Sequence, residues 1–484
     1  MSRNAVLCVL VACGDPSVTI TPVVDLPVND NASAFPLDQL TLEVAHAGST
    51  VDLTSATFSH GQVVQVAGVP FADDLVVHMT GFTGASEEAY GRTCEFAATA
   101  DGASPAPHVL FSRSVKFAQL AVTPDLRIGG TSVTYHDGSA IIVGGTDPAD
   151  NTPQLDVEHY DPRTNSYDVV GTLDNTRTEA IATLLGTGDA AQVVVIGGIV
   201  AQTNSGASFI ELIEADDPDP DRRIQKVING NTERIRLTAT PLSDGTVIVI
   251  GGQDPSSNAA VGEVDQITLA NGTATVAALQ ASLGLGFERY DHTATRLGDD
   301  VGAPVLIAGG VGNGGLPVAQ AELFNPLSQT ISTPPQYTMV APRSQHQAVR
   351  MPDGSVLIIG GVDAMGLPVT QLELFTLENG FTAVGTLPAD AGTVGFTLTT
   401  LPDGRVLMTG GRAPGGTALP TAFIISLDPI GGQVDIVATD VLDAMFGRFN
   451  HNATLLCDGS VLISGGTATL QPLLRYNPAP AGRR

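Results

Sequence analysis

Residues 448–466 read RFNHNATLLCDGSVLISGG. The run HNATLL alternates apolar and polar positions and predicts one strand. Asp458-Gly459 is a pair that tolerates positive φ, as a tight hairpin requires. SVLIS returns as a nearly continuous apolar strand, the pattern of a strand buried on both faces. Gly465-Gly466 then lets the backbone bend or approach a neighbouring sheet closely. The same pattern recurs elsewhere as DGSAIIVGG, DGTVIVIGG, DGSVLIIGG and DGRVLMTGG. Gly-Gly pairs stand at 144–145, 197–198, 251–252, 309–310, 360–361, 410–411 and 465–466, in steps of 50 to 58 residues.

After each pair comes a third run, such as VEHYDP, AELFNP, LELFTL or LRYNP, and a weaker fourth, such as SYDVVG or FTAVG. Four strands per copy at this period indicate a propeller of stacked four-stranded sheets, since one such sheet cannot bury both of its faces alone. Seven copies predict seven blades. The seventh ends without a fourth strand, and SVKFAQLAV (Ser114 to Val122) is placed to supply it, closing the ring and removing two unpaired sheet edges.

The repeat resembles the kelch repeat and, more broadly, the galactose-oxidase-like propellers, over about residues 114–484. Kelch units usually carry a Trp in the fourth strand. This chain has no Trp, and Tyr167 and Phe381 stand near that place, so an aliphatic inter-blade core is expected. The copper constellation of galactose oxidase has no counterpart in the sequence, and the resemblance does not carry that activity over.

The first third reads differently. MSRNAVLCVLVACGD has a positive residue, Arg3, a short apolar stretch and Leu10-Val11-Ala12-Cys13, which resembles a bacterial lipoprotein box. Residues 1–13 are therefore expected to be a signal peptide with Cys13 lipidated, and Gly14 in second place suits export to an outer membrane. Residues 14–36, rich in Pro and Asp, read as a tether. Residues 37–113 hold short alternating runs without helical period, which predicts a small immunoglobulin-like β-sandwich. The expected architecture is thus all-β: a β-sandwich followed by a seven-bladed kelch-like β-propeller at 114–484. Cys94 and Cys457 remain, one per domain. A disulfide between them would lock sandwich to last blade; the expectation is instead two buried free thiols.

Composition restricts function. Net charge is −28 with charged residues at 15%, which opposes nucleic acid by repulsion of phosphates. Membrane contact is expected through the lipid anchor only. G-x-S-x-G, H-E-x-x-H, Walker and C-x-x-C motifs are absent, so no cofactor is expected. GVGNGG at 310–315 fits a dinucleotide fingerprint in form, but a strand-like run follows where a helix is needed. The acidic stretch Glu214 to Arg223 lacks calcium-loop spacing and reads as a solvated insertion.

One positional pattern exceeds what the fold needs. Before the first strand of each copy stand Arg127, Arg177, Arg234, Arg289, Arg343, Thr393 and Arg448. Pseudo-symmetry would gather six guanidiniums at one mouth of the channel, able to hold carboxylates bidentately; the architectural alternative pairs each with an acid or carbonyl of the next blade. Three residues on stand His292, His346 and His451, where other copies have Gly130, Ala180, Leu237 and Phe396. A position that accepts such residues is inward-packed, and no metal site is expected. The reading that follows is a non-enzymatic, surface-anchored binding module, outer-membrane or secreted. Its ligand is a protein or peptide, acidic if held at the arginines. The alternatives are a secreted propeller enzyme of carbohydrate-active or copper-oxidase type and a purely structural envelope protein. Absence of Trp weighs against sugar stacking.

Overall fold

The computed structural model describes residues 17–28, 37–59, 61–100, 102, 104–122, 124–200, 205–228, 233–279, 284–428, 432–440, 444–467 and 471–478. Residues 1–16, with the expected signal and Cys13, lie outside these. Among the described residues are seven four-stranded antiparallel sheets, and the architecture is all-β and propeller-like. Blade 1 comprises Thr131–Thr134, Ala140–Val143, Asp156–Asp161 and Ser166–Thr172. Blades 2 to 6 repeat this order, starting at Ile181, Thr238, Thr293, Gln347 and Val394. Blade 7 has Asn452–Leu455, Val461–Ser464 and Leu474–Asn477, and its outer strand is Lys116–Gln119, which pairs antiparallel with Leu474–Asn477.

The second strands are the driest part of the molecule. Ile141, Val193, Val249, Ile307, Ile358, Leu407 and Ile463 are all fully buried, because each faces a neighbouring sheet on both sides. Core clusters bridge adjacent blades, as Leu357 and Ile359 of blade 5 do with Phe396 and Met408 of blade 6.

The Gly-Gly pairs explain the blade-to-blade step. Each first glycine has positive φ. A Cβ there would lie 2.4 to 3.0 Å from the carbonyl oxygen of the residue at the arginine position in the next blade, and Gly465 faces Arg127 to close the circle. In six of the seven pairs the second glycine donates its N–H to that same carbonyl, as in Gly310 to Arg343 (2.9 Å) and Gly466 to Arg127 (3.0 Å). A side chain at the first position would push the blades apart.

Among its described residues the N-terminal domain has a six-stranded sheet, built around Gln39–His46 and Ala72–Thr83, plus two short two-stranded sheets. Its core includes Ile20, Leu42, Val77, Met79 and Phe111. The expected tether is corrected here. Within 14–36, Ser17–Ile20 pairs with Val66–Pro70, and Val23–Asp25 pairs in parallel with His108–Leu110. Alternation in SVTI outweighs the Pro and Asp around it, and burial of Ile20 anchors the strand. The cysteines are also corrected: Cys94 and Cys457 form a disulfide, Cα atoms 5.0 Å apart.

Candidate functional site

The arginine ring is not a ligand site. Arg127, Arg177, Arg234, Arg289, Arg343 and Arg448 are at most 4% exposed. Each donates Nη1 to the carbonyl of the first glycine of its own blade, for example Arg343 to Gly360 (3.1 Å) and Arg289 to Gly309 (3.0 Å). Five of them meet an acid on the third strand of the same blade: Arg127 with Glu158 (2.7 Å), Arg177 with Glu211, Arg234 with Asp265, Arg289 with Glu322 (2.6 Å) and Arg343 with Glu373 (2.6 Å). The partner lies in the same blade, not the next one. Burial holds the guanidinium pKa values of Arg177, Arg234, Arg289 and Arg343 down. It raises Glu158, Glu211 and Asp265 against the pull of their arginines. These are internal braces, dry and charge-paired within the blade, although Nε of Arg127, Arg177 and Arg234 has no acceptor among the described residues.

Two residues further on, the chain does something the sequence reading missed. Gly129, Glu179, Arg236, Asp291, Gln345, Gly395 and Asn450 all have φ between 50° and 70°. Left-handed backbone is costly for residues other than glycine, about 1–2 kcal/mol each. Here it turns the amide sideways. Glu179 N–H donates to Gly129 O (3.2 Å), Asp291 to Arg236 (3.2 Å), Gln345 to Asp291 (3.1 Å) and Asn450 to Gly395 (2.7 Å). Blade is stitched to blade around the axis, and the side chains are left at its mouth.

A cavity of about 440 Å³ opens there, lined by Arg236, Asp291, Gln345, Gly395 and Asn450 with Gln347, Arg412 and Phe449. Five consecutive blades contribute, which places it on the pseudo-symmetry axis. Its two sides differ. Arg236 lies 3.6 Å from both Glu179 and Asp291, a chain of compensated charge. Burial raises the Asp291 carboxyl pKa, with Arg236 opposing. On the other side Arg412 is exposed, sits over the Phe449 ring at 5.5 Å and forms no ion pair among the described residues.

The histidines form the floor. His292 and His346 line the cavity, yet all three rings serve blade seams. His292 Nε2 meets Thr238 Oγ1, His346 meets Thr293 and His451 meets Thr397, each at 3.0 Å and each in the preceding blade. Burial drives His346 and His451 down to about 3 and His292 well below its ordinary value. These are neutral rings. Among the described residues no three His, Cys, Asp or Glu side chains group as metal ligands. Of the other sequence candidates, Gly312–Gly315 is a turn that no helix follows, and Asp217 in the acidic stretch accepts from Arg222 (3.0 Å) and the Asp219 N–H (2.8 Å).

No family model matches the chain, and no curated protein does. Among solved structures, that of YjhT aligns with a TM-score of 0.47 at 13% identity, covering 66% of this chain and 99% of its own.

Proposed function

We propose that the protein is a non-enzymatic binding module, a seven-bladed kelch-like propeller on an immunoglobulin-like sandwich, whose channel mouth recognises an acidic group of a protein or peptide. The observation that carries this reading is the ring of left-handed residues around a polar cavity. Backbone held in costly conformations presents Arg236, Gln345 and Asn450 at one opening, with Arg412 beside them. Strain of this kind gathers where side chains must be pre-placed. Arg412 supplies a charged donor that no carboxylate of the described chain occupies. Gln345, Gln347 and Asn450 supply neutral amides, which bind an oxyanion without adding charge. The pre-formed rim costs little ordering entropy on association.

Anchoring through a lipid on Cys13 completes the reading. The Cys94–Cys457 disulfide supports an oxidising compartment such as a bacterial envelope.

The test is fluorescence anisotropy of short peptides carrying single Asp or Glu residues, at low salt. Wild type should bind a subset, and Arg412→Ala should weaken binding by about tenfold or more, the loss of one charge-assisted contact. Equal affinity for wild type and Arg412→Ala, or for acidic peptides and their amide counterparts, would remove the channel mouth as the recognition site.

A further inference from the structure

Residues 120–130 join the outer strand of blade 7 to blade 1, so the chain links every pair of neighbouring blades. Its break lies inside blade 7, where Lys116–Gln119 and Leu474–Asn477 are held together by strand pairing and form a seam with no peptide link. The outer strand of blade 7 makes four register pairs, Lys116 with Asn477, Phe117 with Tyr476, Ala118 with Arg475 and Gln119 with Leu474.

The N-terminal domain sits over this seam. Cys94 is bonded to Cys457, at the first hairpin of blade 7. Cys457 N–H donates to Gly138 O of the blade 1 hairpin (2.9 Å), and Arg92 Nη1 donates to Cys457 O (3.1 Å). Asn477 Nδ2 donates to Ser112 Oγ (3.0 Å) and to Tyr90 O (2.5 Å). Leu110 shares one core with Leu120, Tyr160 of blade 1 and Leu462 of blade 7. Three bodies therefore meet at Cys457. The bond joins residues 363 positions apart, and the loop it closes contains blades 1 to 6 entire.

We infer that the Cys94–Cys457 bond is a redox latch on the propeller ring. Oxidised, it holds the N-terminal domain, and the strand that domain carries, against blade 7. Reduced, domain and strand can leave together, exposing the Leu474–Asn477 edge and opening the seam. Cys457 is the half-buried partner and Cys94 the buried one. A dithiol reductant attacks through one thiolate, the S–S bond breaks and a mixed disulfide forms. The second thiolate of the reductant displaces the bound cysteine. Two electrons pass to the protein, the reductant becomes its cyclic disulfide, and each cysteine takes up a proton.

The experiment is hydrogen exchange with mass spectrometry on the full chain, oxidised and after dithiothreitol, with alkylation of the Cys94 and Cys457 peptides confirming reduction. Exchange in Lys116–Gln119 and Leu474–Asn477 should become at least about tenfold faster on reduction, while Val247–Ile250 of blade 3 keeps its protection. The onset of melting should fall by about 5 °C, from the loop-closure entropy of a very long loop spread over a large unfolding entropy. Cys94→Ser/Cys457→Ser should match the reduced protein and ignore dithiothreitol; if that variant does not fold, reduction of folded wild type decides alone. Unchanged seam protection in fully alkylated protein, equal loss in seam and blade 3, or a bond that dithiothreitol does not reduce in the folded state would each overturn the latch. None of these readouts involves ligand, so failure of the latch is separate from failure of the binding reading.

Discussion

Arg343 and Glu373 offer a double-mutant cycle whose reference is already built into the chain. Both side chains are fully buried, 2.6 Å apart. Glu373 also accepts from the N–H groups of Val340 (2.8 Å) and Ala341 (2.9 Å), and Arg343 donates to Gly360 O and Gln371 O. Blade 6 solves the same site differently. It has Thr393 at the arginine position, and register with the second strand puts Phe423 at the acid position, opposite Met408 as Glu373 is opposite Ile358. Arg343→Thr alone strands the carboxylate in a dry site and should cost about 3–5 kcal/mol. Arg343→Thr/Glu373→Phe removes both charges and should recover more than half of that, a coupling of about 2 kcal/mol or more. Full recovery is not expected, because the Val340 and Ala341 amides lose their acceptor, at about 1 kcal/mol each. The assay is guanidinium unfolding at neutral pH, compared at matched m-values. A single-mutant cost below about 1 kcal/mol, or a double mutant that costs the sum of its singles, would show that the arginines are not internally braced and would reopen the ligand-site reading.

Three further outcomes follow from the geometry. His346 stays neutral in the fold down to about pH 3, whereas the unfolded chain takes up a proton near 6.5, so stability falls as pH drops through that window at about 1.4 kcal/mol per unit. Buried carboxyls with raised pKa, such as Glu211, act in the opposite direction, so the difference between wild type and His346→Phe, which copies Phe396 of the next blade, isolates the histidine: the variant should show the shallower acid limb in urea melts from pH 6.5 to 4. Gln345 has φ of 57°, and Gln345→Gly should raise stability by about 1 kcal/mol while weakening acidic-peptide binding; a gain in both would separate the strain from recognition. Asn477→Ala leaves Tyr90 O and Ser112 without their donor and should cost about 1–3 kcal/mol, read as a lower melting temperature.

Much of the propeller was legible because its signature is a backbone constraint repeated seven times. Asp-Gly must turn, the second strand must be apolar on both faces, and the glycine pair must admit the neighbour's carbonyl. The arginines were legible as a pattern but not in their role, since their partners stand about thirty residues on, across a loop of variable length. The signal was present: VEHY, IELI, VDQI, AELF and LELF carry an acid where the blade has Arg, and AFII has none where the blade has Thr393. The ring of left-handed residues left a fainter trace, two Gly and one Asn among seven equivalent positions. The disulfide left less still. Pairing depends on where the N-terminal domain docks, and that docking rests on single contacts such as Asn477 with Ser112, which no periodicity encodes.

The two blades that break the arginine–acid rule are neighbours, and blade 7 keeps its arginine without the acid. In blades 1 to 5 each buried Arg meets its acid, so the braces contribute little net potential. Blade 6 has neither charge. Blade 7 keeps Arg448 but places Leu474 at the acid position, opposite Ile463. Arg448 is fully buried and, among the described residues, meets no acid and donates to the carbonyls Phe446 O (3.1 Å), Gly465 O (3.4 Å) and Pro472 O (3.4 Å); burial pulls its pKa down to about 10. Its charge, paired with no acid among the described residues, lies two residues from Asn450, on the same side of the cavity as Arg412. The positive potential is therefore greatest on that wall, and the acidic group should bind there and not beside Glu179 and Asp291. Leu474→Glu tests the argument by supplying the missing acid. At an unpartnered core site a buried carboxylate would cost several kcal/mol; beside Arg448 the change should cost no more than about 1–2 kcal/mol, because the arginine's desolvation is already present in the fold. It should also weaken acidic-peptide binding while Arg412 remains in place. A Leu474→Glu protein as unstable as Leu462→Glu, or one that binds as wild type does, would show that Arg448 contributes nothing to the field at the channel mouth.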